Sequence, residues 1–344
     1  MILAYNLKKA DLRYGTDESA GITRRKESEN FFFVDTKGHK VGDKKTLERI
    51  NSLVIPPAWK DVWISPHENS HLQVTGIDQK GRKQYIYHPD WVKICQENKF
   101  SKMVFFGEVL PEIRRKIYRD MLIKQLNKAK LLATVVWLLE HTFIRVGNDE
   151  YARENNSFGL TTLRTKHVRV RGEKIKFEFR GKSGVDHAIS FSNPKVASVI
   201  KECIELPGYE IFHYIDDLGD KHSIDSGDVN SYLKSITGED ITAKDFRTWG
   251  GTTLSAQTLH KLGFFETDVA AKKNITEAVK DVSVHLGNTP SVCRSYYIHP
   301  TVLDTYEERI LIPHFDKIMA NSKNKPDELT KKEYGLLTLL QKYS

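Results

Sequence analysis

The feature that most constrains this fold is a change of hydrophobic period near one third of the chain. Before it, apolar residues fall in short β-type runs: Asn30 to Val34, Val62 to Ser65, Leu72 to Gly76 and Gln84 to Tyr87, separated by Gly, Pro, Asp and His. The exception is Thr46 to Leu53, which reads as a short helix ending before Pro56-Pro57. From about Pro111 the pattern turns helical. Ile117, Met121, Leu122, Leu126, Leu131, Leu132, Val135, Val136 and Leu139 recur at spacings of three and four across Ile113 to His141. A small β segment then interrupts, at His167 to Arg171, Ile175 to Arg180 and Asp186 to Phe191. In it Ile175, Phe177 and Phe179 alternate with Lys176, Glu178 and Arg180, as in a strand with one buried face. Helical pattern resumes at Pro194 and continues to the end, closing on a short docking helix around Tyr334 to Leu340.

The expected class is α+β. A small β-rich amino-terminal domain, residues 1–98, precedes a larger, mainly α-helical domain, residues 99–344, that contains a small antiparallel β-sheet. The boundary is placed between Trp91 and Pro111. A chain of 344 residues is long enough for both parts to bury a core.

Composition excludes several classes. Cys95, Cys203 and Cys293 are odd in number and scattered, which argues against a disulfide framework or a cysteine-rich zinc site. His39, His67, His71, His141 and the other histidines show no metal-ligand spacing, so no metal or other cofactor is expected. The longest apolar run, Leu131 to Leu139, is too short for a bilayer, and the amino terminus lacks the pattern of a signal peptide. The reading is a cytoplasmic protein without a membrane partner. A formal charge of +8 and a pI near 9.1 favour a polyanionic partner.

Four side chains then stand out by order and context. Arg145 lies in Phe143-Ile-Arg-Val-Gly147, Lys182 in Phe179-Arg-Gly-Lys182, and Arg247 in Lys244-Asp-Phe-Arg-Thr-Trp249. Tyr297 closes the series in Thr289-Pro-Ser-Val-Cys-Arg-Ser-Tyr-Tyr-Ile-His-Pro300. Breaking a phosphodiester by transesterification needs a nucleophile, cations on the nonbridging oxygens, and a proton for the leaving oxygen. A phenol has a pKa of about 10 and attacks usefully only beside cations or a base. Guanidinium groups match phosphate geometry and stay charged, and lysine can serve as an acid. The bland readings are real. A Tyr pair usually packs, a hairpin-tip lysine such as Lys182 is usually solvated, and Arg247 near a helix amino end is usually a surface residue. There the macrodipole disfavours a cation, which leans towards function. Thr242 with Asp245 reads as a capping box starting the Arg247 helix, and Thr289-Pro290 as the start of the helix carrying Tyr296 and Tyr297.

Together these motifs resemble those of the poxvirus-type and bacterial type IB DNA topoisomerases, over roughly Gly21 to Tyr306. A further match is Gly81-Arg-Lys-Gln-Tyr-Ile-Tyr87, similar to the amino-domain motif of that family that contacts DNA. The resemblance implies Tyr297 as nucleophile forming a 3′-phosphotyrosyl bond, Arg145 and Arg247 holding the scissile phosphate, and Lys182 protonating the 5′ hydroxyl. It implies double-stranded DNA as partner, a monomer closing as a clamp around the duplex, and relaxation of both supercoil signs without ATP or metal. If the host is bacterial, the enzyme would be nucleoid-associated.

Arg82, Gln84, Tyr85, Tyr87, Tyr151 and Lys244 are the expected DNA-contacting residues. On a strand Tyr85 and Tyr87 share one face and Gln84 takes the other. The neighbours Lys80, Arg82 and Lys83 favour phosphate contact. One position departs from the family pattern. Asn288 stands nine residues before the tyrosine, where histidine is common, and an amide donates a hydrogen bond without charge. His285 lies nearby as an alternative donor.

A tyrosine recombinase shares the Arg, Lys, Arg, Tyr chemistry, but Lys244-Asp-Phe-Arg247 replaces its usual His-x-x-Arg, and the amino region reads as strands rather than helices. A noncatalytic DNA-binding protein of the same fold is the third reading.

Overall fold

The structure is a computed structural model that describes residues 7–8, 11–28, 30–79, 81–321 and 323–344. The chain divides into two compact units, residues 1–100 and 101–344. Lys80, expected to face phosphate, lies outside the described residues, as do the first six residues of the amino-terminal segment.

The first unit is built on five antiparallel strands: β1 (Ile22–Glu27), β2 (Asn30–Val34), β3 (Lys60–Ile64), β4 (Leu72–Ile77) and β5 (Lys83–Tyr87), in the order β2-β1-β3-β4-β5. Helix α1 (Lys44–Ser52) starts where Asp43 accepts from the Thr46 N–H. Its Ile50 packs with Ile22, Val62, Ile64 and Val74 in the core of this unit. Strand β1 escapes detection by pattern. After Ile22 and Thr23 it runs Arg-Arg-Lys-Glu, and pairing with strands on both sides holds it in place.

Helix α2 (Pro89–Asp120) begins in the first unit and ends in the second, with proline at its first position. The expected start near Pro111 is therefore wrong: Pro111 lies inside the helix. Met103, Phe106, Leu110, Ile113 and Ile117 recur at helical spacing and are buried. Their packing outweighs the hydrogen bond lost at the proline, a cost of about 3 kcal/mol in an isolated helix. The expected continuous run to His141 is also broken, because α3 (Lys128–Thr142) starts afresh at Asn127, whose side chain accepts from the Lys130 N–H.

The second unit is mainly helical, with α4 (Asp149–Asn155), α5 (Pro194–Glu205), α6 (Ser226–Thr237), α7 (Ala243–Leu262), α8 (Asp268–Leu286), α9 (Pro290–Tyr296), α10 (Pro300–Glu307), α11 (Leu311–Ala320) and α12 (Lys331–Tyr343). A three-stranded antiparallel sheet interrupts it: β6 (Val168–Arg171), β7 (Lys174–Arg180) and β8 (Asp186–Ser192), with β7 in the centre. Ile175, Phe177 and Phe179 are its buried residues, as the alternation requires. A second hairpin, β9 (His213–Ile215) with β10 (Lys221–Ser223), falls where unbroken helix was expected. Strands of three residues are too short for period to show. The α+β class holds, and no helix among the described residues is long and apolar enough to cross a membrane.

Candidate active site

Three helix ends and one hairpin turn position the side chains. Helix α3 ends at Phe143, which adopts the left-handed conformation (φ 54°) and turns the chain so that Arg145 follows two residues later. Helix α8 ends at Leu286, capped by left-handed Gly287 (φ 59°), and Asn288 follows two residues later. Both ends leave backbone carbonyls without intrahelical partners. Arg247, buried on the second turn of α7, donates to the Phe143 carbonyl and, at 2.8 Å, to the Leu286 carbonyl. Its guanidinium thereby joins the ends that carry Arg145 and Asn288. A cation beside the amino end of its own helix is disfavoured, but the carboxyl ends of two others favour it.

The two following residues then meet. The Arg145 guanidinium donates to Asn288 Oδ1. That leaves Asn288 Nδ2 and Arg247 Nε as buried nitrogens without a hydrogen-bond partner among the described residues. Unpaired buried donors cost about 1–3 kcal/mol each, so each of these nitrogens has a reason to meet an acceptor. His285 does not share this position. It is half exposed on α8 and sits 3.2 Å from the Asp281 carboxylate.

The Arg247 guanidinium carbon stands 5.2 Å from the Tyr297 ring centre. The sequence placed Tyr297 inside a helix; in the structure α9 ends at Tyr296, and Tyr297 is its carboxyl cap with φ −131° and ψ −4°. Thr289 starts α9 by accepting from the Val292 N–H, and the Tyr297 N–H still donates to the Cys293 carbonyl. Leaving the helix separates the two tyrosines. Tyr296 is exposed, whereas Tyr297 is half-buried against Arg247. Burial pushes the Tyr297 phenol up, but the charge and hydrogen bond of Arg247, with Arg145 and Lys244 behind it, bring it below its ordinary value. Burial, and then Arg145, bring Arg247 down to about 10, so it remains a cation at neutral pH.

Helix α7 also holds the backbone at Tyr297. Thr252 donates to the Tyr297 carbonyl at 3.1 Å and accepts from the His299 N–H at 3.1 Å. A Cβ on Gly251 would stand 2.8 Å from the Tyr297 carbonyl, and one on Gly250 would stand 2.1 Å from the Phe143 ring. The Gly250-Gly251-Thr252 run thus lets the chain of α7 approach both Phe143 and Tyr297. Sequence reasoning missed it, although two adjacent glycines inside a helix were a usable signal. At the amino end of α7, the Asp245 carboxylate accepts from the Thr242 N–H and hydroxyl.

Lys182 is exposed on the β7–β8 turn, which is closed by Gly181 donating to Val185 at 2.7 Å and by left-handed Ser183. It shares a cleft of about 420 Å³ with Arg145, Gly147, Asn148, Tyr151 and Phe158. The cleft exists because Gly147 and Gly159 pass closely; a Cβ on Gly159 would stand 2.6 Å from the Arg145 carbonyl. Tyr151 therefore lies with Arg145 and Lys182, while Lys244 is exposed beside Arg247 on α7.

In the first unit, Lys83, Tyr85 and Tyr87 form the exposed face of the edge strand β5. The two tyrosine rings stack at 6.0 Å with Lys83 above Tyr85. Gln84 points the other way, and both it and Arg82 bond to Asp78, at 3.0 and 2.7 Å. Gln84 is thus tied into the β4–β5 turn rather than displayed. Among the described residues no group of His, Cys, Asp and Glu is arranged to hold a metal.

The comparisons with known proteins point to one family. The family described as eukaryotic DNA topoisomerase I, catalytic core, matches residues 92–324, and bacterial DNA topoisomerase IB, N-terminal domain, matches residues 30–78. DNA topoisomerase 1B of Acanthamoeba polyphaga mimivirus is 32% identical over 294 residues, covering 83% of this chain and 88% of the relative. DNA topoisomerase 1 of rabbit fibroma virus (strain Kasza) is 27% identical, covering 75% and 81%; DNA topoisomerase 1B of vaccinia virus (strain Copenhagen) is 24% identical, covering 78% and 84%. The chain belongs to the type IB DNA topoisomerase family, a family of isomerases.

Proposed function

We propose that this enzyme relaxes supercoiled duplex DNA of both signs through a transient 3′-phosphotyrosyl bond at Tyr297. The carrying observation is Arg247, whose guanidinium packs on Tyr297 while its buried Nε, like Asn288 Nδ2, has no hydrogen-bond partner among the described residues. An arginine has five N–H groups, so Arg247 can keep both backbone carbonyls and still donate to a phosphate.

The step follows from these positions. The Tyr297 phenol loses its proton to solvent and its oxygen attacks phosphorus. The P–O5′ bond breaks as the Lys182 ammonium gives a proton to O5′. Arg145, Arg247 and Asn288 hold the nonbridging oxygens. The cut strand turns about its partner, then O5′ attacks back, its proton returns to Lys182, and the phenolate leaves. The covalent link conserves the bond energy, so the cycle needs neither ATP nor a metal.

Each unit offers its own surface to the duplex: Lys83, Tyr85 and Tyr87 on β5, and Tyr151 and Lys244 around the cleft and α7. The partner is DNA, met by a single copy of the chain, with phosphate contacts dominant. Affinity then falls by about a thousandfold between roughly 50 and 200 mM salt.

The test is transfer of label. A duplex labelled at the 5′ end of the cut strand is mixed with enzyme and quenched in denaturant. The reading requires label on the protein, at Tyr297, with a free 5′ hydroxyl on the other fragment. Label that follows the opposite fragment refutes the polarity. Tight binding without any adduct refutes catalysis and leaves a DNA-binding protein.

A further inference from the structure

His187 lies on β8 directly opposite Phe179 of β7, and the two rings stack at 5.0 Å with 15° between their planes. The imidazole edge meets two backbone segments. A Cβ on Gly181 would stand 2.7 Å from His187 Cδ2 and Nε2, and one on Gly287 would stand 2.7 Å from Cε1. Gly181 precedes Lys182, and Gly287 precedes Asn288. Gly181 has φ −96°, which any residue can adopt, so it is the His187 ring and not the backbone that excludes a side chain there. Burial, and then the charges of Arg145 and Arg247, bring the imidazole below its usual pKa, against Asp186. That direction favours the neutral ring, whose contribution here is its shape. An open cleft of about 480 Å³ lined by His167, Phe179, Arg180, Asp186 and His187 borders the other side of the ring.

We propose that His187 is a positioning residue for Lys182: its ring, wedged between Gly181 and Gly287, sets the turn that delivers the leaving-group proton against the end of α8 that carries Asn288. The proposal rests on the assignment of Lys182 as the acid, and the experiment separates the two. Single-turnover cleavage is measured on a duplex carrying a mapped cleavage site, with oxygen or sulfur as the bridging 5′ atom. A thiolate leaves without a proton, because thiols ionise near pH 8.5 and alcohols far higher. Lys182→Ala is expected to be slow on oxygen and restored on sulfur. His187→Ala is expected to lose about 10- to 100-fold on oxygen, the scale of a displacement near 1 Å, and to be restored on sulfur. His187→Phe, which keeps a flat ring on Phe179, recovers most of that loss on oxygen.

Equal losses for His187→Ala on oxygen and sulfur overturn the proposal while leaving Lys182 in place, as does an unimpaired His187→Ala. Failure of sulfur to restore Lys182→Ala removes the acid assignment, and the proposal falls with it. If His187→Ala lacks a cooperative thermal transition, Gly181→Ala carries the same test, since its methyl displaces the same ring. A loss confined to oxygen supports the proposal, and equal losses refute it.

Discussion

The Arg247 guanidinium carbon lies 5.2 Å from the centre of the Tyr297 ring while the same group donates to the carbonyls of Phe143 and Leu286. One side chain thus fixes the ends of α3 and α8 and lowers the phenol between them. A lysine can supply the charge but not the fork. Arg247→Lys is expected to lower the single-turnover cleavage rate by about 10³-fold, the upper range for a fixed transition-state donor. A loss below tenfold shows that charge alone suffices.

Gly251→Ala tests the approach of α7 to Tyr297. In a helix interior alanine is normally better than glycine by about 1 kcal/mol. Here the added methyl would stand 2.8 Å from the Tyr297 carbonyl, so the tyrosine must move. Cleavage is expected to drop by about 100-fold, while thermal unfolding remains cooperative. Wild-type cleavage in the variant shows that the cap at Tyr297 tolerates displacement.

Asn288→Asp keeps the size and the acceptor for Arg145 but removes the Nδ2 donor and adds an anion where the proposed function puts the phosphate. The expected loss in cleavage is at least the 10²- to 10³-fold seen, as a rough rule, for a missing oxyanion donor. Retention of activity would place the phosphate elsewhere, with His285 no candidate because Asp281 holds it on the surface of α8.

The fold's main divisions were legible where side chains carry the signal. Alternation in Ile175, Phe177 and Phe179 marked β7, and three-four spacing marked α3. Strand β1 was not legible because its charged run has no alternation and is held by both neighbours. Nor was α2 through Pro111, where packing of Phe106, Leu110 and Ile113 overrides a local breaker. At the candidate site the sequence offered the residue types but not their arrangement. Arg247 binds backbone carbonyls, which have no residue signature, and Tyr297 leaves the helix at a position that helical period assigns to its interior. His187 was invisible for the same reason: its neighbours are glycines more than a hundred residues apart in the chain.

His299 gives the stability a pH dependence. Burial holds its imidazole at about 4, below the unfolded 6.5, and its Nδ1 accepts from the Thr301 N–H at the start of α10. The unfolded chain therefore binds the proton first as pH falls, so this contribution is complete above 6.5 and is lost towards 4. About 2 kcal/mol should disappear between pH 6.5 and 5. His299→Asn keeps a capping acceptor and does not titrate. Urea unfolding at pH 7 and pH 5 should show a shallower decline in the variant; parallel declines contradict the assignment.

The most direct measurement is relaxation of supercoiled plasmid in EDTA without ATP, comparing wild type, Tyr297→Phe and Tyr296→Phe. Wild type and Tyr296→Phe are expected to relax both positive and negative supercoils, and Tyr297→Phe neither. Relaxation by Tyr297→Phe, or wild type that works only when a divalent metal is restored, contradicts the proposed function.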